Sequence, residues 1–341
     1  MVDPIMIKKA LSFALVALAI VFLSGSKVAL AKGEVTLDAL RHKVVEATFE
    51  SEGLRYQRDL YDGTLMSYFS DGLKVFALVN RPNTSMPDAG YPVLIFGHGF
   101  HPEPKKYGIS SNGEISRPGD YYRGIPERYA ERGFVAITPD YRGHNRSEGI
   151  EFTKTSFLAS SYYASDVLHV LSALSSLDNV DVNRIYYLGH SMGGDVGLKV
   201  LLSSNKIRAA SLWSPVVATT DQQAFYYGRY YDEDKNVAVD QQKLNDYRKK
   251  IDDVYASLPA AISDKDIDAI NYLDQLNTPL IIHHARGDSS VPYQWSENLV
   301  IEMSALGKEF LFYTYETENH LFKGENLNRA FERDLDFFSK H

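Results

Sequence analysis

A serine with glycines two positions to either side stands in the run Gly189-His190-Ser191-Met192-Gly193, directly after the apolar stretch Ile185-Tyr186-Tyr187-Leu188. A serine hydroxyl is a weak nucleophile and attacks a carbonyl only when it is exposed, rigid and within reach of a base. A sharp strand-to-helix turn meets these conditions, because the serine takes a strained backbone conformation and the glycines remove Cβ atoms that would collide around it. Downstream, Asp195 to Leu202 carries apolar residues at helical spacing. A helix opening at Met192 turns unpaired N–H groups toward a developing negative charge, which makes the Met192 N–H the first candidate oxyanion donor. The chemistry indicated is nucleophilic attack by Ser191 on an acyl carbon. The five-residue pattern alone arises often by chance, and its strand and helix flanks are what give it weight.

A nucleophile needs a frame, and the chain supplies one. Residues 44 to 81 read as a meander, Val44 to Phe49, Leu65 to Phe69 and Leu73 to Val79, with the turn dipeptide Asp71-Gly72 between the last two. Tyr91 to Phe96 is the first strongly apolar strand. Helix and strand then alternate, which is the signature of a parallel sheet covered on both faces. The expected order is helix 121–132, strand Phe134 to Thr138, helix 156–177, the strand ending at Leu188, the helix after Ser191 and strand Ala209 to Trp213. Strand Leu280 to His284, helix 293–306, strand Phe310 to Tyr315 and an amphipathic helix 325–339 complete it. Residues 217–277 interrupt the alternation with a polar, tyrosine-rich, helical stretch that reads as a cap inserted above the sheet. Its Phe225, Tyr226 and Tyr227 suit a substrate wall, and suit packing of the insertion onto the core equally well.

In such an architecture the acid and base follow the serine in chain order, each on a loop at the carboxyl end of a later strand. Asp288 lies just past strand 280–284, in Arg286-Gly287-Asp288-Ser289-Ser290-Val291-Pro292. His320 lies just past strand 310–315, in Glu316-Thr317-Glu318-Asn319-His320-Leu321-Phe322. The expectation is that His320 accepts the Ser191 proton while Asp288 holds the other ring N–H and stabilises the imidazolium. The second oxyanion donor should come from the loop after strand 91–96, His98-Gly99-Phe100, with the Phe100 N–H as the group and Gly99 allowing close approach. His98, His101 and His144 invite a metal reading, but no Asp, Glu or His sits at a recognisable ligand spacing and zinc signatures are absent. No metal and no cofactor is therefore expected. His190, His283 and His284 read as site-lining or structural, His190 being placed with the substrate-binding residues, and Asp140 and Arg142 read as loop braces.

The 341 residues carry a formal charge of −8 and no basic stripe, which argues against a nucleic-acid partner. Lys8 and Lys9 precede an apolar run from Ala10 to Leu23, and Ala29-Leu30-Ala31 has the small-x-small form of a signal-peptidase site. Residues 1–31 are thus expected to be a signal peptide, cleaved after Ala31, giving a periplasmic or secreted protein with no stable membrane insertion. The run falls short of the roughly 20 residues that span a bilayer. The chain has no cysteine, so no disulfide and no lipid at a cleavage-site cysteine can form. Oligomeric state is not legible.

Taken together these residues resemble the catalytic domain of the prolyl oligopeptidase family within the α/β-hydrolases. The resemblance rests on Ser70-Asp71-Gly72-Leu73-Lys74-Val75, Asp140-Tyr141-Arg142-Gly143, the serine turn, Gly287-Asp288 with Val291-Pro292, and Asn319-His320-Leu321-Phe322. It covers about residues 65–340 and implies an α/β-hydrolase fold, a mostly parallel sheet with helices on both faces, so that residues 32–341 are expected to form a single domain with 217–277 as its cap. It also implies a serine peptidase or esterase acting on a small-molecule ester or peptide. Two features depart from the family pattern: too few residues precede the sheet for the gating β-propeller, and Leu321 follows His320 where a glycine often stands. A carboxylesterase without peptidase activity, and a non-catalytic binding protein on the same fold, are the competing readings; the second would be marked by a missing triad member, and none is missing.

Overall fold

A computed structural model of the chain describes residues 35–341 apart from 102, 107–121, 123, 155, 231–240, 257–261 and 317–318. The expected signal peptide with its cleavage site, and most of the 102–120 loop, lie outside the described residues. Among those residues the elements run α1 (Leu37–His42), β1 (Glu50–Gln57), β2 (Tyr61–Ser70), β3 (Leu73–Pro82), β4 (Tyr91–Gly97), α2 (Pro126–Glu131), β5 (Val135–Pro139), α3 (Ser156–Ala173), β6 (Val180–His190), α4 (Met192–Ser203) and β7 (Ile207–Trp213). Then come α5 (Thr220–Tyr230), α6 (Gln241–Ala256), α7 (Asp264–Ile267), β8 (Leu280–Ala285), α8 (Tyr293–Ala305), β9 (Phe310–Tyr315) and α9 (Gly324–Lys340).

The nine strands form one sheet in the order β1-β2-β3-β5-β4-β6-β7-β8-β9. Pairing is antiparallel from β1 to β5 and parallel from β5 through β9. This is an α/β-hydrolase fold. The burial follows the pairing: β4 and β8, covered on both faces, are buried at every residue, β4 as an apolar run and β8 as an apolar run leading into His283 and His284, whereas β2 on the antiparallel side alternates. Val93, Ile95, Tyr187, Leu212 and Ile282 face one apolar cluster with α1, α3, α4 and α8. Leu94, Phe96, Leu188, Trp213 and Ile281 face the other, filled by Tyr129 of α2 and by Phe331, Phe337 and Phe338 of α9.

Val44 to Phe49, expected as a strand, is extended but joins no ladder. Its backbone partners are serines of the α3 region: the Ala47 and Phe49 N–H groups donate to Ser172 Oγ and Ser176 Oγ at 3.3 and 2.8 Å, and Ser172 Oγ donates to the Val45 carbonyl at 3.0 Å. The edge strand is instead the polar Glu50–Gln57, whose charged, exposed surface resists edge-to-edge pairing. Of the expected helix 121–132, in which 121 and 123 lie outside the described residues, the structure shows Pro126–Glu131, opened by a proline at its first position. Helix 156–177 ends at Ala173 and continues as a single 3₁₀ turn, Leu174–Ser176. No helix among the described residues is long and apolar enough to cross a membrane.

Candidate active site

β6 ends at His190 and α4 begins at Met192, leaving Ser191 between them at φ 58°, ψ −121°. A non-glycine residue held there carries strain of about 1–3 kcal/mol and persists only where its surroundings over-determine it. They do so here. The Ser191 N–H donates to the Trp213 carbonyl at 3.0 Å, and the Ser191 carbonyl accepts from the Gly194 and Val216 N–H groups, both at 2.9 Å. A Cβ on Gly193 would overlap the Gly97 carbonyl, so glycine is what lets the start of α4 close onto the end of β4. Beneath the turn lies Tyr187, whose hydroxyl donates to the Gly193 carbonyl at 2.7 Å and whose ring fills the space a Cβ on Gly97, Gly189 or Gly197 would need.

The loop after β4 passes directly beside the serine, since a Cβ on Gly99 would stand 3.1 Å from Ser191 Cβ. Two backbone donors flank this contact, the N–H groups of Met192 and Phe100. Neither has a hydrogen-bond partner among the described residues.

Asp288 and His320, 32 residues apart, meet through a 2.8 Å hydrogen bond from His320 Nδ1 to Asp288 Oδ2. The other oxygen, Oδ1, accepts from the Ser290 and Val291 N–H groups at 2.8 and 3.0 Å. The Asp288 side chain is fully buried. Burial pushes its carboxyl up, but hydrogen bonds from His284 and then His320 outweigh it and hold the group well below the usual carboxylate range. The two loops are also joined by Asn319, whose Oδ1 accepts from the Ser289 and His320 N–H groups at 3.0 and 2.8 Å. No hydrogen bond joins Ser191 Oγ to His320 among the described residues, and His320 Nε2 is open; such contacts are commonly loose before substrate binds.

His190 is 1% exposed and both of its nitrogens are engaged within the protein. Nε2 faces the His320 carbonyl at 2.8 Å, which can only accept, so Nε2 carries the proton and Nδ1 receives the Tyr122 hydroxyl. Burial first, and the neighbouring His320 second, push the His190 imidazole down to about 3. Its ring lies 4.5 Å from that of His320. With no nitrogen left over, His190 is better described as a brace for the His320 loop than as a substrate ligand. Past His320, Leu321 packs against the second apolar cluster, and Phe322 is buried against Tyr315 and Trp213, with ring centroids at 4.5 and 5.6 Å.

Of the aromatic residues in the insertion, Tyr226 and Tyr227 pack edge-to-face against Trp295, ring centroids at 5.5 and 5.9 Å, and the Tyr226 hydroxyl reaches the Ser289 carbonyl at 3.4 Å. Phe225 on the same helix is half exposed. Helix α5 therefore borders the Asp288 loop. His98 and His144 are buried with rings 5.0 Å apart, and burial pushes His144 down to about 4. Among the described residues no group of three His, Asp or Glu side chains could hold a metal ion. Arg142 is fully buried and bonds Asp166 and Asp71, each at 2.7 Å, tying the loop after β5 to α3 and to the β2–β3 turn.

A nine-stranded, mixed parallel and antiparallel frame with a strained serine at the centre of its carboxyl edge defines a hydrolase of the α/β class, and the comparisons agree. The family model of the prolyl oligopeptidase family matches residues 121–341, and the chain belongs to that family and is a serine hydrolase. It is 25% identical over 280 residues to the uncharacterized peptidase YtmA of Bacillus subtilis (strain 168), covering 80% of this chain and 91% of that protein. Acetyl xylan esterase 1 of a Thermoanaerobacterium species superposes with a TM-score of 0.60 at 14% identity, over 88% of this chain and 90% of that one. Dipeptidyl peptidase 4 of Porphyromonas gingivalis gives 0.58 at 18% identity, over 83% of this chain and 36% of that one. These superpositions show the fold.

Proposed function

We propose that the chain hydrolyses an acyl bond, a peptide amide or a carboxylic ester, through a covalent intermediate on Ser191. In this reading the Ser191 hydroxyl attacks the carbonyl carbon while His320 Nε2 takes its proton, and Asp288 stabilises the imidazolium that forms. The oxyanion is held by the Met192 and Phe100 N–H groups. Collapse expels the alcohol or amine, protonated by His320, and a water molecule then attacks the acyl-enzyme with His320 again as base. Phe225 and its neighbours on α5 contribute the wall that meets the substrate. The observation that carries the reading is Ser191 itself, a strained non-glycine residue at φ 58° with unpaired backbone donors beside it.

The test is covalent labelling by a fluorophosphonate, read by intact mass, with esters of graded acyl length assayed beside aminoacyl and prolyl amides. Wild type is expected to gain one label and Ser191→Ala none, with His320→Ala and Asp288→Asn losing several orders of magnitude in turnover. Ester turnover without amide turnover would make the protein an esterase. An alanine variant that labels and turns over like wild type would remove Ser191 from the chemistry.

A further inference from the structure

Asp288 Oδ2 has a second partner on the side away from His320. His284 Nε2 lies 3.3 Å from it, and neither side chain has any exposure. The same nitrogen lies 3.3 Å from the Val291 carbonyl, which can only accept, so Nε2 carries a hydrogen shared between the two oxygens. In the ring with that hydrogen as its single N–H, Nδ1 is an acceptor, and the Ser296 hydroxyl, 2.7 Å away and fully buried on α8, donates to it. The period of two along β8 explains why neighbouring histidines part company: His283 faces α9 and His284 faces α8. With two backbone N–H groups on Oδ1 and two imidazole N–H groups on Oδ2, all four acceptor directions of the carboxylate are occupied.

We propose that His284 is a positioning residue for the acid: with its tautomer set by Ser296, it fixes the carboxylate of Asp288 and shares its charge, and so limits how strongly Asp288 draws a proton onto His320. The proposal rests on the reading of Asp288 and His320 given above. A carboxylate divided between two donors attracts each less than it would attract one alone. Removing the His284 donor therefore raises the pH at which His320 loses its proton. Other titratable groups face this pair from each side and stay in place in the variants below. His190, on the serine turn, covers the His320 ring and is itself bonded to Tyr122. From α8 and α5 come Tyr293, 5.6 Å from the His284 ring, and Tyr226. Arg286 over Tyr293 is compensated by Glu316 and Glu297.

The experiment follows the His320 imidazole by NMR in histidine-labelled protein, its resonance assigned with His320→Gln. His284→Leu removes the donor, His284→Asn reproduces the Nδ1 side but falls short of Asp288, and His284→Gln places an amide N–H where Nε2 stood. The His320 midpoint is expected to rise by about half a unit or more in the Leu and Asn variants and to return toward wild type in the Gln variant. Ser296→Ala, which leaves the ring in place, is expected to give a smaller rise and keeps the proposal open to refutation if the Leu variant does not fold. An unchanged midpoint in the folded Leu variant, or in Ser296→Ala where Leu fails to fold, overturns it, as does a rise that His284→Gln does not reverse. The readout needs no turnover, so a wrong functional reading shows itself separately, as a wild type that takes no fluorophosphonate at Ser191.

Discussion

Ser191 adopts a backbone conformation that glycine would take without penalty, and under the proposed function this sets the protein's stability against its chemistry at a single position. Exchange of Ser191 for glycine releases the strain, of about 1–3 kcal/mol, while adding some disorder to the unfolded chain, of about 0.4–1 kcal/mol. Ser191→Gly is therefore expected to be more stable than wild type by about 1 kcal/mol in urea or thermal unfolding, and inactive. A glycine variant less stable than the parent would show that the turn is unstrained. At this scale the serine, Asp288, His320 and the two N–H donors were readable as candidates, because a turn needs its glycines and each loop follows a strand. The partners that brace them were not. Tyr122 and His190 are 68 residues apart, and nothing in either local pattern says they touch. His284 carried a faint signal, in that two successive histidines ending an apolar strand must face opposite sides of the sheet.

Helix α9 shows how an element is held by one side chain that its own sequence disguises. Its apolar stripe, Ala330, Phe331, Phe337 and Phe338, has Asp334 at the centre, fully buried. Asp334 Oδ1 accepts from Ser211 Oγ and His283 Nε2 at 2.8 and 2.9 Å, and Oδ2 accepts from the Tyr129 hydroxyl and Trp213 Nε1 at 2.8 and 3.0 Å. One carboxylate thereby joins α9 to α2, β7 and β8. The clamp reaches the site, because the Trp213 carbonyl holds the Ser191 N–H and the Trp213 ring packs on Phe322, two residues past His320. Asp334→Asn turns an amide donor toward two existing donors and is expected to cost about 3–5 kcal/mol, measured by unfolding; a loss under 1 kcal/mol would mean the network is dispensable. An acidic residue in an amphipathic helix reads as solvent-facing, and only its register, four residues after Ala330, betrays it. The same difficulty hid β1, whose polar residues pair with a neighbour without alternating burial, while Val44 to Phe49 had the right residue types and no strand to pair with.

Across the whole molecule the insertion is closed on itself, its beginning joined to its end, at a titratable point. Asp268 accepts from the Thr220 N–H and hydroxyl at the start of α5, at 3.0 and 2.7 Å, and burial pushes its carboxyl up to about 6. Between its ordinary value near 3.8 and about 6 the folded chain binds a proton that the unfolded chain does not. The stability this group contributes is complete below pH 4 and is lost as pH rises through 6, by about 2 kcal/mol after allowing for solvent screening. Subtracting the pH profile of Asp268→Asn from that of wild type in thermal unfolding should isolate this decline, and superimposable profiles would show that Asp268 titrates normally. The sheet's long parallel half was legible because strands covered on both faces carry continuous apolar stretches, such as Val93 to Phe96 and Leu280 to Ile282; the helix that borders the site, α5, was legible as a helix but not as a neighbour of the Asp288 loop.

A run with glycines at 189, 193, 194 and 197 is, by composition, a loose piece of chain. Tyr187 reverses that. Its one ring takes up the room left vacant at Gly97, Gly189 and Gly197, so the missing methyl groups of three residues are supplied as a single block from the strand beneath. The turn is solid underfoot although its own residues are nearly bare, and Ser191 can be held stiffly by a segment whose composition would suit a hinge.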